Sequence, residues 1–391
     1  MQEPTSLFYD FEPASKEKWY LRALREMKGT NFDEQMIWKM TADMKVQPFY
    51  TKEDLFQSEH LKKYQHGSDS PNTSNISPRH WVFRQKIDVG NQYRQANKYA
   101  LNALINGADG IEFHLDRMIS FEAIEALLEN IHIKHCDISF FTTASPMQLL
   151  CMYRCYAREK GLALSEMRGS LGFTYLGVRE MGFTEMSQVI ILGAEMPNYQ
   201  VLPISGVKGL SPSLDICSML ANFAHYVEKI GEEGITPAIL AREIDFRVRM
   251  GNDYFVEIAK LRALRFLFSE LVRHYGVEDF KPYEMKIHAI TTPEVSERTK
   301  KDPYWNILVN TNQSMAAILG GCNTLTILPH TDGLEPENEL ADRIARNISN
   351  ILKEEAYFDK VSDPSAGSYY IENLTDAIAE KAWEKFRDRY I

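Results

Sequence analysis

The chain has 391 residues, of which 44% are hydrophobic and 25% are charged, and its formal net charge is −10. This composition is typical of a soluble globular protein with one large domain and an arm, or with two domains. The negative charge excludes a general role in tracking nucleic-acid phosphates. No apolar run approaches the ~18 residues needed to span a bilayer, so we expect no membrane partner.

The first residues and the cysteines indicate the compartment. Residues 1–13 contain neither Lys nor Arg, which argues against a secretory signal and an Arg-rich transit peptide. The five cysteines are scattered, which suits a reducing compartment. Cys151 and Cys155 lack the further ligands of a zinc pattern, so we interpret them as two thiols. We therefore expect a cytoplasmic protein without a metal site.

The N-terminal part of the chain reads as a separate unit. Ser15 is placed to cap a helix whose apolar residues recur at helical spacing from Trp19 onward. Residues 66–78 are almost wholly polar, Gly, Ser and Pro, which is typical of a linker. The sequence therefore predicts an N-terminal helical arm at 1–65, which we interpret as a subunit-contact segment, a linker at 66–78 and a larger domain at 79–391.

Strand-like and helical patterns alternate through the larger domain. Eight β-then-α units fit a (β/α)8 TIM barrel better than an open doubly wound sheet, and no G-x-G-x-x-G follows the first strand. The predicted strands are 81–87, 110–115, 137–142, 162–167, 200–205, 244–250, 285–290 and 324–328, and the helices between them include 91–106, 121–130, 147–159, 214–231, 253–275 and 304–319.

The predicted strand at 244–250 alternates sharply between two kinds of residue. Ile244, Phe246 and Val248 lie on one face, whereas Asp245, Arg247 and Arg249 lie on the other. In a barrel strand one face meets the helices and the other points into the lumen. Two interpretations stay open: the charges face a wet lumen, or they lie near the ends of the strand.

Several segments, in the same order, resemble the methylmalonyl-CoA mutase family. The C-terminal stretch from Ser314 contains SMAAILGGCNTL, RIARN and DPSAGSYY, close to the family's M-A-A-x-x-G-G-T-x-S-L, R-I-A-R-N and D-P-x-G-G-S-Y-Y. Upstream, RHWVFRQ, ISG and DYFVEIAKLRA resemble further family motifs. The N-terminal YDFEPASKEKW and VQPFYT are similar to the small (beta) subunits of heterodimeric members. The resemblance implies a TIM barrel and radical chemistry that uses cobalamin.

The residues at the family's catalytic positions differ from those that the chemistry uses. The resemblance places Lys86 where catalytic members carry a Tyr that contacts substrate, and Lys208 where they carry a His that hydrogen-bonds the thioester carbonyl. Thr326 replaces a second family His, and Ser365-Ala366 replaces a Trp-Gly pair. An ammonium is charged and strongly hydrated, unlike a neutral imidazole. We therefore predict no catalytic residue here, and candidate anion contacts at the barrel mouth from Lys86, Arg179 and Lys208.

The family's cobalt-binding D-x-H-x-x-G is also missing its Asp in the nearest string, residues 328–333. A carboxylate partner fixes a metal-bound imidazole, so this string does not predict a cobalt site. The resemblance implies a barrel portion without the cobalamin-binding domain. We expect no cofactor bound by this chain, with adenosylcobalamin in a partner large (alpha) subunit.

The sequence therefore favours a non-catalytic small subunit that supports a large subunit in interconverting methylmalonyl-CoA and succinyl-CoA. One alternative is an active acyl-CoA mutase barrel that uses a separate cobalamin-binding chain. Another is a free-standing barrel that binds CoA esters or other anions, with Lys86, Arg179 and Lys208 converging at the mouth.

Overall fold

The computed structural model describes residues 15–28, 31–41, 44–57, 79–173, 175–334 and 338–390, without the side chains of 56–57 and 175–181. The described part of the arm contains helices α1 (Lys16–Glu26) and α2 (Phe32–Gln35), followed by the antiparallel pair β1 (Trp38–Thr41) and β2 (Met44–Val46). The Ser15 hydroxyl accepts a hydrogen bond from the Lys18 N–H, which confirms the predicted cap. The predicted linker at 66–78 lies outside the described residues.

The larger domain is built on one sheet whose strands are all parallel. The strands are β3 (Val82–Asp88), β4 (Gly110–Leu115), β5 (Asp137–Thr142), β6 (Gly169–Phe173), β7 (Tyr199–Gln200), β8 (Leu202–Ser205), β9 (Ile244–Arg249), β10 (Lys286–Ile290) and β11 (Thr324–Thr326). Their order in the sheet is β7-β6-β5-β4-β3-β11-β10-β9-β8, and Arg84, for example, pairs with Gly110.

The sheet closes because its two edges are parts of one interrupted strand. Only Val201 separates β7, which pairs with β6, from β8, which pairs with β9. The backbone N–H groups of both Val201 and Leu202 donate to the Glu243 carbonyl at this junction. Counting β7 and β8 as one strand, the nine segments form an eight-stranded barrel, which confirms the predicted TIM architecture.

Helices surround the barrel, and several begin where the sequence supplies a cap. Ser145, followed by Pro146, accepts from the Gln148 N–H at the start of one helix, and Thr236 caps another. The helices are α3 (Tyr93–Ile105), α4 (Phe121–Leu128), α5 (Pro146–Glu159), α6 (Tyr175–Gly193), α7 (Pro212–Gly231), α8 (Pro237–Arg242), α9 (Tyr254–His274), α10 (Glu297–Lys301), α11 (Trp305–Gly320), α12 (Glu339–Glu354) and α13 (Tyr369–Tyr390).

The fourth predicted strand was wrong. Residues 164–166 form a short 3-10 helix, and the strand is β6, a few residues later. At its start Gly169 has φ +139°, and a Cβ there would lie 2.0 Å from the Ile138 carbonyl oxygen. The close approach requires glycine, yet glycine weakens the sequence signal of a strand.

The arm packs on the last helix of the barrel. Residues of β2 and of the short helix Lys52–Gln57 contact α13. The ring centroids of Tyr50 and Tyr370 are 5.8 Å apart in an edge-on arrangement. No helix in the described ranges is long and apolar enough to cross a membrane.

Candidate functional site

Lys86 and Lys208 lie at the same rim of the barrel. Lys86 is near the carboxyl end of β3, and Lys208 belongs to the loop after β8. The carboxyl ends of the strands form the rim at which TIM-barrel enzymes carry their active sites. The two lysines line separate cavities of this rim, of about 220 Å³ for Lys86 and about 580 Å³ for Lys208. Arg179 lies in α6, and its side chain is outside the described structure.

Lys86 takes part in a chain of charged groups at the rim. Its Nζ lies 2.7 Å from Asp88 Oδ2, and Asp88 Oδ1 lies 3.9 Å from His114 Nδ1. His114 Nε2 is 2.6 Å from Glu112 Oε1. The charge of Lys86 is therefore compensated within the protein.

Lys208 is exposed, and the loop that carries it is anchored to a buried acid. Asp215 Oδ1 accepts from the Val207 N–H at 2.7 Å. The buried Lys260 Nζ lies 3.9 Å from Asp215 Oδ2 and 2.7 Å from Glu257 Oε2, on the floor of the larger cavity. Burial raises the pKa of Asp215, and the Lys260 ammonium opposes that rise.

The structure explains the glycine of the motif Ile204-Ser205-Gly206. A Cβ on Gly206 would lie 2.8 Å from Asp215 Oδ1. Such a contact is too close for a side chain. Glycine at this position therefore lets the carboxylate reach the backbone of the Lys208 loop.

A network of charged side chains fills the lumen of the barrel, and we call it the lumen network. Arg247 of β9 donates two parallel hydrogen bonds of 2.8 Å to the carboxylate oxygens of Glu112 on β4. Bidentate pairs of this kind are among the strongest side-chain contacts. The Arg247 guanidinium also lies 5.2 Å from the ring centroid of Phe141. Arg247 and Glu112 are only 5% and 1% exposed.

Arg84 of β3 forms hydrogen bonds to side chains of β5 and β6 within the lumen. Its Nε donates to Asp137 Oδ1 at 2.9 Å, and its Nη1 donates to Ser170 Oγ at 2.9 Å. The Ser170 hydroxyl in turn donates to Asp245 Oδ2 at 2.9 Å. Two guanidinium groups, of Arg84 and Arg247, thus face the carboxylates of Glu112, Asp137 and Asp245.

His288 of β10 joins the network as a neutral ring. The Thr326 hydroxyl donates to the Arg84 carbonyl at 3.1 Å, so it accepts at 2.8 Å from His288 Nε2. The Nδ1 atom then carries the lone pair, 3.4 Å from Arg84 Nη1. Burial and the positive charge of Arg247 lower the pKa of His288, which agrees with a neutral ring.

Two acids of the network, Glu112 and Asp245, are held ionised by their partners. Burial raises the pKa of Glu112, but the charge of Arg247 and the contacts with His114 outweigh it and hold this pKa well below its usual value. Burial also raises the pKa of Asp245, whereas the charged neighbours Arg247 and Arg84 lower it. Because His288 is neutral, the two guanidinium groups supply the positive charge that keeps Asp245 ionised.

The lumen network resolves the two interpretations of the alternating strand. Asp245 and Arg247 point into the lumen and are buried, whereas Arg249 is exposed at the strand end. Arg84 and Glu112 were not predicted from the sequence to be members of this network. The only signal for them is a charged residue at alternating strand positions, which does not reveal the partner.

Three imidazoles of the lumen and the rim are stacked or hydrogen-bonded within the barrel. His330 lies in the loop after β11, is 5% exposed and stacks on Tyr304 with ring centroids 5.2 Å apart. His114 and His288 make hydrogen bonds within the lumen network. In the described ranges, no group of three or more His, Cys, Asp or Glu side chains is arranged to hold a metal ion.

The class of this protein follows from its barrel fold together with the sequence motifs that the barrel carries. The profile of the family described as methylmalonyl-CoA mutase matches residues 117–388, and the chain belongs to this family. Within the family, the chain is 32% identical over 402 residues to the methylmalonyl-CoA mutase small subunit of Porphyromonas gingivalis, covering 98% of this chain and 64% of that protein.

Other relatives carry the same or a related description. A small subunit from Streptomyces virginiae is 26% identical, covering 98% of this chain and 64% of that protein. The large subunit of Porphyromonas gingivalis is 25% identical, covering 90% of this chain and 54% of that protein. The chain spans about 64% of the length of the small subunits from Porphyromonas gingivalis and Streptomyces virginiae.

Proposed function

We propose that this chain is the barrel portion of a non-catalytic small subunit of methylmalonyl-CoA mutase. In this proposal it supports a large subunit that interconverts methylmalonyl-CoA and succinyl-CoA. Adenosylcobalamin, held by the large subunit, supplies the radical chemistry when bound. The lumen network carries the proposal, because it occupies the space that a substrate would need to reach the centre of the barrel.

Opening the lumen would be costly. Removing one partner from a buried ion pair leaves an uncompensated charge and costs about 3–5 kcal/mol. The guanidinium of Arg247 would have to leave Glu112, and that of Arg84 would have to leave Asp137. The acyl group of methylmalonyl-CoA carries one carboxylate beside its uncharged thioester, whereas the two guanidinium groups would each leave a carboxylate partner. The network therefore favours a structural barrel over the alternative of an active mutase.

The rim residues support the same proposal. Lys86 is paired with Asp88, so it cannot serve as the neutral aromatic contact that the family resemblance implies at this position. Lys208 is exposed, and a hydrated ammonium is a poor donor for a carbonyl in a pocket that excludes water. Both positions lack the chemistry that the catalytic members use.

The proposed partner surface is the arm. Tyr20, Leu21 and Trp38 are 41%, 48% and 43% exposed, so the arm presents large apolar side chains to solvent. Large apolar side chains in the centre of an interface contribute most of the affinity. In Porphyromonas gingivalis both a small and a large mutase subunit are similar to this chain. A large mutase subunit is therefore the partner that we propose.

An activity assay tests the catalytic half of the proposal. We expect no conversion of methylmalonyl-CoA by the purified chain with adenosylcobalamin, and none by the variant Lys86→Tyr/Lys208→His, because the lumen network stays in place. A catalytic large subunit assayed in parallel shows that the conditions support turnover. Turnover by the chain alone would rule out a non-catalytic subunit.

A binding assay tests the partner half. Mixed with a large subunit from the same source, the chain is expected to form a heterodimer by light scattering after gel filtration. Trp38→Asp is expected to weaken the complex by about tenfold or more, because it buries a charge in the interface. The matched control is Leu308→Asp, at a residue of α11 that is 60% exposed. Failure of the unmodified chain to bind would contradict the proposal.

A further inference from the structure

A second feature of the rim lies between α3, the first helix of the barrel, and α12. The cavity of about 220 Å³ is bordered by β3, α3, α12 and the loop after β11. Among its lining residues are Gln85, Asn102, Asp342 and Arg346. It lies outside the lumen network, and its volume holds several waters at about 30 Å³ each. The shape therefore suits a small molecule.

Arg346 is buried in the wall of this cavity with most of its donors unused. It is 5% exposed, and within the described structure its guanidinium makes one hydrogen bond, of 3.4 Å, from Nη1 to Gln85 Oε1. Its Nε has no hydrogen-bond partner there. Guanidinium groups carry five donors, and buried polar groups are normally satisfied.

Asp342 lies one turn before Arg346 on α12 and is similarly under-used. It accepts one hydrogen bond, of 3.4 Å, from Gln85 Nε2, and in the described structure no ion pair joins it to Arg346. Both distances to Gln85 exceed the usual 2.7–3.2 Å. Burial raises the pKa of Asp342 to about 6, so the carboxylate is ionised at neutral pH and accepts hydrogen bonds.

We propose that this cavity binds a small carboxylate that carries a hydroxyl or ammonium donor on the adjacent carbon. The ligand's carboxylate would accept two hydrogen bonds from Arg346, the fork geometry that guanidinium prefers. Its donor would reach Asp342, and the amide groups of Gln85 and Asn102 border the same space. The ligand thus pairs with a cation and an anion that the protein places one helical turn apart but does not join. The site shares Lys86 with the rim position described above, but it does not depend on the proposed subunit function.

Calorimetric titration of the full chain with glycolate, glycine and acetate tests the site. Glycolate and glycine have the same number of non-hydrogen atoms, and acetate lacks only their hydroxyl or ammonium donor. We expect glycolate or glycine to bind about tenfold or more tightly than acetate, since a charge-assisted hydrogen bond to Asp342 is gained. Glycolate above glycine would identify a hydroxy acid, and the reverse order an amino acid. Equal affinity of all three probes, or no binding at millimolar concentration, would overturn the proposal.

Three variants locate the binding. Arg346→Met is expected to abolish binding, and Asp342→Asn to reduce the preference for glycine over acetate. Arg343→Met is the matched control, because Arg343 is an exposed residue of the same helix and does not line the cavity. If Arg346→Met fails to fold, Asp342→Asn alone decides the matter. Unchanged binding in Asp342→Asn would place the ligand elsewhere and refute the site.

Discussion

The side chains on the two faces of strand β9 lie in two different buried environments. Asp245 and Arg247 point into the lumen and belong to the lumen network. Between them Phe246 points outward and packs edge-on against Phe268 of α9, with ring centroids 4.7 Å apart. The layer between strands and helices is thus apolar, whereas the centre of the barrel is held by ion pairs. Adjacent residues of one strand are equally buried but depend on different forces.

The pKa values of the buried acids show most clearly how an ion-paired site differs from an unpaired one. In the lumen, positive partners hold the pKa values of Glu112 and Asp245 below their usual values. Glu243, just before β9, is also buried, and its Oε2 has no hydrogen-bond partner in the described structure. Burial raises the pKa of Glu243 to about 8. Burial has the same sign at all these sites, so the partners decide whether the acid is charged.

The largest expected effect comes from removing one partner in the lumen. Arg247→Met leaves Glu112 buried without its bidentate partner and is expected to lower the free energy of unfolding by about 3–5 kcal/mol. Denaturant unfolding followed by circular dichroism measures the change. Arg249→Met is the matched control, because Arg249 is exposed at the end of the same strand. Its expected effect is within about 0.5 kcal/mol.

A double variant at Arg247 and Glu112 distinguishes an ion-paired interior from an apolar one. Adding Glu112→Gln to Arg247→Met removes the orphaned charge, so a sizeable part of the lost stability should return. Phe246→Ala should cost about 3–5 kcal/mol as well, through a cavity that no partner change repairs. If Glu112→Gln restores nothing, the contrast between the two interiors is wrong.

An effect that depends on pH, and is smaller over any one pH unit, is expected at Glu243. The pKa of the Glu243 carboxyl is ordinarily 4.5, and burial raises it to about 8 in the folded protein. As the pH rises, Glu243 therefore loses its proton in the unfolded chain before it does so in the folded one. Wild-type stability should therefore fall between these values, by about 1.4 kcal/mol per pH unit from this group. Glu243→Gln removes this loss, so its advantage over wild type should grow as pH rises. The stability difference is measured by denaturant unfolding at several pH values, and a constant difference would exclude a buried neutral acid.

The smallest effect is expected at His288, at lower pH. The pKa of His288 lies below its usual value of 6.5, so above that pH the ring is neutral in both states. As pH falls from 6.5 toward the folded-state pKa, only the unfolded chain takes up the proton, and wild type loses up to about 1.4 kcal/mol per pH unit. His288→Gln should flatten this part of the stability profile. His135→Gln, on the surface, is the control and should leave the slope unchanged.

Much of the fold could be predicted from the sequence, because helix and strand periodicities are local. The predicted strands at 110–115 and 137–142 have the observed bounds, and most other strand and helix bounds differ by one or two residues. The failure at β6 has a physical cause. Two glycines in Gly169–Phe173 permit close packing of backbones, which the sequence pattern cannot distinguish from a loop.

By itself the sequence determined the barrel, the family and the lysines at the two rim positions. It also showed that one strand alternates between charged and apolar faces. Only the tertiary structure decided where those charges go, because Arg247 and Glu112 are 135 positions apart and meet through closure of the barrel. Ion pairing depends on distance in space, and residue spacing along the chain does not report it. For the same reason the cavity beside Arg346, which lies between α3 and α12, could not be predicted from the sequence.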